Sequence, residues 1–541
     1  MKALIRYFFT IITLLIGVSS CDVNRVPETQ LSDEVFWKTG KDLQVACNYL
    51  YTFLPGLPNT DDIWSDDAYA REPNVISDGS RLAPATDANF NTPYRLIRAA
   101  NNIIEKAPRA VESGALASII DVYIAEARFF RGWAYFLLLQ KYGGVPLILN
   151  VLKENSNELN AGANKREEVI QSIYKDLDFA IDKLPTPTKL DAVGYGRISK
   201  TAALAFKSRA ALFEGTRSKF HGYGNFQSHL TLALAAAKAV IDSKEHSLFG
   251  NYFNLFQLQG EGRQNPENIL VRQYGVSSVD IVTTHNAARV FENGAGCPTK
   301  SLVDSYLMID GLPITKSPLY KKPKVSTDVF VNRDTRLIAT IMKRGDTYIT
   351  TVPVFTISGL AGQPTGFVSR KYFNIDDWQF SRSTIDAAVI RYAEVLLNYA
   401  EAKYELDGGI SDADLDLSIN LLRTRGGIAK LSNAFINSNV GLKMQDEIRR
   451  ERRVEFAVEG FRYWDLIRWK TAEIELPKSV LGNYFFKDEF GTLTAVKLTP
   501  DNYIINQEAR FRKFNPARDY LWPFPVNEIA LNPSLEQNPN W

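Results

Sequence analysis

`AEARFFRGWAYFLLLQKYGGVPLI`, Ala125–Ile148, holds the strongest periodic signal in this 541-residue chain. Val122, Ala125, Phe129, Trp133, Phe136, Leu137 and Gln140 recur at spacings of three and four, which predicts a helix over Ile120–Lys141 with one packed face. `YGGVP`, Tyr142–Pro146, ends it: Gly143 can take the left-handed cap, and Pro146 cannot continue a helix. A partner helix is expected at Tyr94–Ala107. The arrangement then recurs downstream. Lys165–Lys183 carries Val169, Ile173, Leu177, Ala180 and Ile181, and `GRISKTAALAFKSRAALFEG`, Gly196–Gly215, follows with Ser199 as a possible cap. Leu230–Ile241 adds an alanine-rich helix, and Ala387–Tyr404 with Leu415–Arg425 reads as a further hairpin. Paired helices of similar length are a tetratricopeptide-like habit, although no strict 34-residue consensus repeats.

Upstream of these repeats, Ser32–Glu34 reads as the start of a helix over Ser32–Leu54, with a stripe of Val35, Phe36, Leu43, Ala46, Cys47 and Leu50. Elsewhere the texture changes. Between Phe249 and Thr384, glycine, proline, asparagine and aromatic residues replace helical periodicity, with strand-like runs at Asn268–Gln273, Thr347–Phe355 and Phe367–Tyr372. Thr60–Asn91 and Ala472–Tyr520 are similarly irregular. The reading is a mainly α protein: helical hairpins over about 90–245 and 384–469, with a large loop-rich region of short strands over about 55–90, 249–383 and 472–541.

The N-terminus decides location. Lys2 and Arg6 precede an apolar run, Tyr7–Val18, too short and wrongly flanked to span a bilayer, and Ser19 and Ser20 lead into Cys21. That is a signal peptide over 1–20 followed by a lipobox-like cysteine, with 21–31 as a tether. Acyl chains on Cys21 would anchor the chain to a membrane, each buried CH₂ adding roughly 0.8 kcal/mol. Loss of residues 1–20 removes Lys2 and Arg6 and no acid, so 61 basic residues face 61 acidic ones. No dense basic block suggests nucleic acid. The one Arg-rich run, Arg449–Arg453, is interleaved with Glu447, Glu451 and Glu455 and reads as helix ion pairs. Cys47 and Cys297 read as two buried thiols rather than a disulfide. His221, His229, His246 and His285 never reach a metal-ligand spacing. No cofactor is expected, and no phosphate-binding Gly-rich loop occurs.

These segments together resemble the SusD/RagB family of surface glycan-binding lipoproteins from Bacteroidetes. Ala125–Ile148 is similar to the family's long helix and its Gly-Val-Pro exit, and Gly196–Phe213 to its next hairpin. `VIRYAEVLLNYAEA`, Val389–Ala402, `IRRERRVEFAVEGFRYWDLIRW`, Ile448–Trp469, and `YLWPFPVNEIALNPSLEQNPNW`, Tyr520–Trp541, resemble three more signatures. The resemblance implies a SusD-like fold with no catalytic activity. It also implies an outer-membrane, lipid-anchored location facing the cell surface, and an oligosaccharide cargo delivered to a SusC-like TonB-dependent barrel. Asp22, which follows Cys21, would signal inner-membrane retention in proteobacteria, but the resembling family belongs to another phylum. Peptide capture by the same lid, a surface polysaccharide-active enzyme with two carboxylates about 5–9.5 Å apart, and a purely structural barrel partner stay open as alternatives.

A sugar site needs flat aromatic faces and planar polar groups on loops that a scaffold holds in place. `DDIWSDDAYAREP`, Asp61–Pro73, offers Trp64 and Tyr69 for stacking and Asp66, Asp67 and Arg71 for hydroxyls. `RKYFNIDDWQFSR`, Arg370–Arg382, offers Tyr372, Asn374, Asp377, Trp378 and Arg382. His285, Asn286 and Arg289 are weaker candidates. Asp61–Asp62 and Asp66–Asp67 could supply calcium oxygens, but they read better as loop acids.

Overall fold

The computed structural model describes residues 33, 35–190, 194–275, 283–491 and 496–541. The signal peptide, Cys21 and the tether lie outside the described residues. The scaffold is a stack of helices in which each packs on the next: α1 (Gly40–Tyr51), α2 (Ala88–Lys106), α3 (Ala117–Tyr142), α4 (Arg166–Lys183), α5 (Lys200–His221), α6 (Phe226–Ser243), α7 (Tyr392–Asp407) and α8 (Met444–Glu455). A short α9 (Arg462–Arg468) returns onto α5. Neighbour-on-neighbour order is what a tetratricopeptide-like repeat produces.

Local chemistry sets the ends. Ser199 caps α5 by accepting from the Ala202 amide at 3.2 Å, and Gly222 (φ 74°) closes it in the left-handed conformation. Gly143 ends α3 with φ 79°. Gly215 lets α6 close onto α5, because a Cβ there would meet the Leu230 side chain at 2.8 Å. The expected start of the first helix moves. Thr39, not Ser32–Glu34, opens it through a reciprocal capping box with Asp42, and Val35 is left exposed outside the helix.

Arginine–carboxylate forks clamp the stack from helix to helix. Arg131 of α3 holds Asp176 of α4 with two 2.7 Å bonds. Arg166 of α4 holds Glu214 of α5, and Arg209 of α5 holds Glu394 of α7 at 2.6 Å. One large hydrophobic core runs through the scaffold, and three smaller clusters lie under the loops. The chain's end belongs to the large core. Trp522 and Phe524 are buried, Phe524 stacks on Tyr142 at 5.4 Å, and the Trp522 amide donates to the Lys141 carbonyl at the end of α3.

The strands are short and pair in twos: β1 (Ala68–Tyr69) with β3 (Cys297–Pro298), β2 (Asn268–Arg272) with β6 (Ala387–Arg391), β4 (Thr347–Ile349) with β5 (Val352–Val354), and β7 (Val480–Tyr484) with β8 (Tyr503–Gln507). Three expectations are corrected here. Ala387–Arg391 is strand, not the first turn of a helix, because β2 satisfies its backbone and α7 begins only at Tyr392. Leu415–Arg425 is broken at Ser418 into two short helices. Phe367–Tyr372 makes a single bridge, Ser369 to Ile341, rather than a strand. Cys47 and Cys297 are both buried free thiols.

Candidate functional site

The two sequence segments singled out for ligand binding meet on either side of a third, Ala287–Pro298. Its first part is a short helix, Ala287–Glu292, packed against the helix Ile375–Phe380. Its last part, β3, pairs with β1 in the register Tyr69 to Cys297 and Ala68 to Pro298. Thr299 locks the junction, its hydroxyl donating to the Asp66 carbonyl at 2.6 Å and its amide to the Asp67 carbonyl at 2.9 Å.

On the Ile375–Phe380 side, Asn374 is the helix cap, accepting from the Asp376 and Asp377 amides at 2.9 and 3.4 Å. Asp377 accepts from the Ser383 hydroxyl at 2.7 Å, and burial raises its carboxyl above the usual range. Trp378 is half-buried. The Arg289 guanidinium lies 4.7 Å from its ring centroid, and Arg289 also donates to the Trp378 and Gln379 carbonyls. The Trp378 indole N–H reaches Glu292 Oε2 at 3.4 Å, while the Tyr348 hydroxyl reaches Oε1 of the same carboxylate at 3.2 Å. Arg382 is exposed beside Phe380, a ring 61 % exposed. Tyr372 lies apart from them, buried at φ 59° against Phe256.

Glu292 carries the connection onward. Its carbonyl accepts from the Gln363 carboxamide, which also accepts from the Gly359 amide and so shapes the loop Gly359–Gln363. A Cβ on Gly362 of that loop would lie 3.8 Å from an Arg71 guanidinium nitrogen. Arg71 is exposed and makes no ion pair among the described residues. With Tyr69 it lines an open cleft of about 630 Å³, whose far wall is β8 and the exposed Phe511. The Tyr69 hydroxyl lies 3.4 Å from the Asn506 carbonyl, and the buried side-chain oxygen of Asn506 has no partner among the described residues. A polar and aromatic track therefore runs from Arg382 and Trp378, past Glu292 and Gln363, to Arg71 and the cleft.

Other residues of the first segment are engaged within the fold. Trp64 is half-buried and meets Tyr463, Trp464 and Trp522 edge-on at 5.3–6.3 Å. Asp66 is held by Arg453 and Arg462 at 2.8–2.9 Å, and Asp67 by Arg453. Burial opposes ionisation of Asp66, but the two guanidinium groups hold its carboxyl well below the usual range. Asp62 moves the other way. Burial, then the charge of Asp67, raises it to about 8, and one of its oxygens has no partner among the described residues.

Sequence reasoning missed Glu292, Gln363 and Phe511. Glu292 and Gln363 act through contacts 71 to 86 residues away, and neither sits in a motif. Phe511 carried a readable signal, an aromatic between Arg510 and Arg512 in an irregular stretch.

Comparison with known proteins fits this architecture. Residues 273–541 match the model of the SusD family, and residues 61–212 match a second model described as starch-binding associating with outer membrane. A SusD-like protein of Bacteroides ovatus is 24% identical over 579 residues, covering 100% of this chain and 98% of its own. The SusD-like protein P38 of Formosa agariphila is 26% identical, covering 98% and 97%. A crystal structure of a SusD-like carbohydrate binding protein from Bacteroides fragilis superposes with a TM-score of 0.74 at 24% identity, covering 93% of this chain and 100% of that one. The superposition over most of both chains and two family models spread over both halves of the sequence lead to one conclusion: the chain belongs to the SusD/RagB family.

Proposed function

We propose that this protein captures an oligosaccharide on its loop-rich face, without cleaving it, and passes it to a SusC-like TonB-dependent barrel in the outer membrane. The observation that carries this reading is the continuous track from Trp378 to Arg71, in which a half-buried indole, exposed guanidinium groups and an open cleft sit on one face. Flat rings take the C–H faces of sugar rings, and planar polar groups take their hydroxyls. The helix stack serves as the body that meets the barrel, so that ligand is enclosed between the loop-rich face and the transporter. Cys21 carries the lipid that keeps the chain on the membrane; no helix among the described residues is long and apolar enough to cross one.

Calorimetry of the mature chain against a panel of defined oligosaccharides and peptides tests the cargo. A saturable glycan that Trp378→Ala and Arg71→Ala both weaken supports the reading. Peptide binding alone would keep the lid and replace the cargo. Sugar release from the same panel would overturn the non-catalytic role. Copurification of a barrel with wild-type chain, and recovery of Cys21→Ser in the soluble fraction, test the partner and the anchor.

A further inference from the structure

Away from the loop-rich track, a cavity of about 170 Å³ lies between α3, α5 and the turn joining α8 to α9. Its walls are aromatic: Trp133 and Phe136 from α3, Phe213 from α5, and Phe461 and Trp464 from the C-terminal side. Pro55, an exposed member of the lining, marks where it approaches solvent. Gln140 stands on the same face of α3, one turn beyond Phe136. It is 9% exposed, and its carboxamide meets no hydrogen-bond partner among the described residues. The Trp133 indole N–H of the same lining is fully buried and also makes no hydrogen bond among the described residues, and leaving such a donor unpaired costs about 1–3 kcal/mol, so this seam asks for a polar partner.

The charged groups of the lining do not supply it. Arg209 is committed to Glu394, Arg452 to Asp465, Arg468 to Glu401, and Glu459 to Arg391 and Lys371. With every ion compensated, the free hydrogen-bonding capacity lies in neutral groups, among them the Gln140 carboxamide, able to donate and to accept, and the Trp133 indole N–H. An ionic ligand would disturb that balance, and a wholly apolar one would leave Gln140 unpaired. The size selects further, since an apolar cavity of about 150 Å³ holds one benzene ring.

We infer that this cavity is a second ligand site, taking a single neutral, hydroxyl-bearing six-membered ring of the monosaccharide class, with Gln140 binding a hydroxyl and the aromatic walls packing the ring faces. It stands on its own lining and shares neither Trp378 nor Arg71 with the loop-rich track. The test uses the full chain in a sugar-free detergent, with methyl β-D-glucoside, methyl β-D-galactoside and phenol as probes, read by calorimetry and tryptophan fluorescence. One glycoside is expected to saturate and to shift the emission, because Trp133 and Trp464 line the cavity. Gln140→Leu should weaken it at least about tenfold, near 1.4 kcal/mol. Leu137→Phe, which narrows the cavity from α3 without removing a polar group, gives the same reading if Gln140→Leu does not fold. Arg71→Ala and Trp378→Ala should leave this binding unchanged, which separates it from failure of the loop-face reading. Binding of phenol alone, no saturable glycoside, or a glycoside lost with Trp378→Ala but not with Gln140→Leu overturns the inference.

Discussion

Arginine does opposite work in two regions of this molecule. In the seam around α8, every acid of the Glu447–Glu459 series meets a basic partner: Glu447 with Arg423, Glu451 with Arg336 and Arg423, Glu455 with Arg336, Arg391 and Arg425, and Glu459 with Arg391 and Lys371. The partners come from β6, from the second of the two short helices before α8 (Ile419–Arg425), and from the loop-rich region, so these pairs tie the scaffold to its insertions. On the loop-rich face, Arg71 and Arg382 are exposed and make no ion pair among the described residues. A buried charge is tolerable only when its partner is fixed, whereas an exposed one contributes little to stability and keeps its donors for a ligand. Burial, not residue type, separates the paired arginines from the unpaired ones here.

The sharpest way to break that contrast is at Glu455, which is fully buried and touches three guanidinium groups. Burial opposes its ionisation, but Arg425, Arg391 and Arg336 hold its carboxyl well below the usual range. Glu455→Ala should cost about 3–5 kcal/mol in chemical denaturation, because it strands buried cations. A loss below about 1 kcal/mol would show that the seam is hydrated and that the contrast with the loop-rich face is false.

Asp62 tests the same rule from the unpaired side. Its folded value, about 8, lies above the ordinary 3.8, so the folded state holds a proton that the unfolded chain releases. Its contribution is full below about pH 4 and is lost as pH rises toward 8, at up to roughly 1.4 kcal/mol per pH unit. Asp62→Asn keeps an acceptor for the Gly460 amide and removes the titration. Melting curves from pH 5 to 8.5 should therefore fall less steeply for the variant than for the wild type. Parallel curves would mean that Asp62 ionises freely.

How far the sequence carried this reading follows from the range of the forces involved. Helices α3 to α6 were legible because their apolar spacing and caps are local: Ser199 and Gly143 could be read directly, and only ends shifted. Ala387–Arg391 was misread because `AAVIR` followed by a strong helix looks helical until β2, more than 110 residues earlier, takes its backbone bonds. The ion pairs of Arg449–Arg453 were expected along the helix. Only Arg450 with Glu447 pairs that way, while Arg453 reaches Asp66 and Asp67 across nearly 390 residues. Those contacts, with Arg462 on Asp66, engage both candidate sugar-binding carboxylates in buried ion pairs. At the candidate site, the clustering of aromatic and acidic loop residues was legible. Which members face outward was not, because that depends on Cys297 pairing with Tyr69 and Glu292 meeting Trp378.

On the loop-rich face the expected effects move from stability to binding. Trp378→Ala should weaken a bound oligosaccharide by about 1–2 kcal/mol, roughly fivefold to thirtyfold, since a desolvated aromatic anchor dominates such a contact. Its melting temperature should fall only modestly, because the ring is half-buried and held by Arg289 and Glu292. A large melting shift with unchanged affinity would move Trp378 into the structural group beside Trp64.

Arg71→Gln is the smallest perturbation and the most discriminating. The guanidinium makes no ion pair among the described residues and lies on the rim of the cleft, so its removal should leave the melting temperature within about one degree of wild type, in line with the near-zero worth of surface charges. Affinity should drop by about 1 kcal/mol or less, because a rim-exposed donor competes with water for each hydroxyl. A glutamine retains planar donors, so Arg71→Gln should lose less than Arg71→Ala if Arg71 reads neutral hydroxyls. If the two variants lose equally and added salt weakens wild-type binding in parallel, the guanidinium acts as a charge. The cargo then carries an anionic group, and an unpaired arginine on this face marks the sign of its ligand as well as its position.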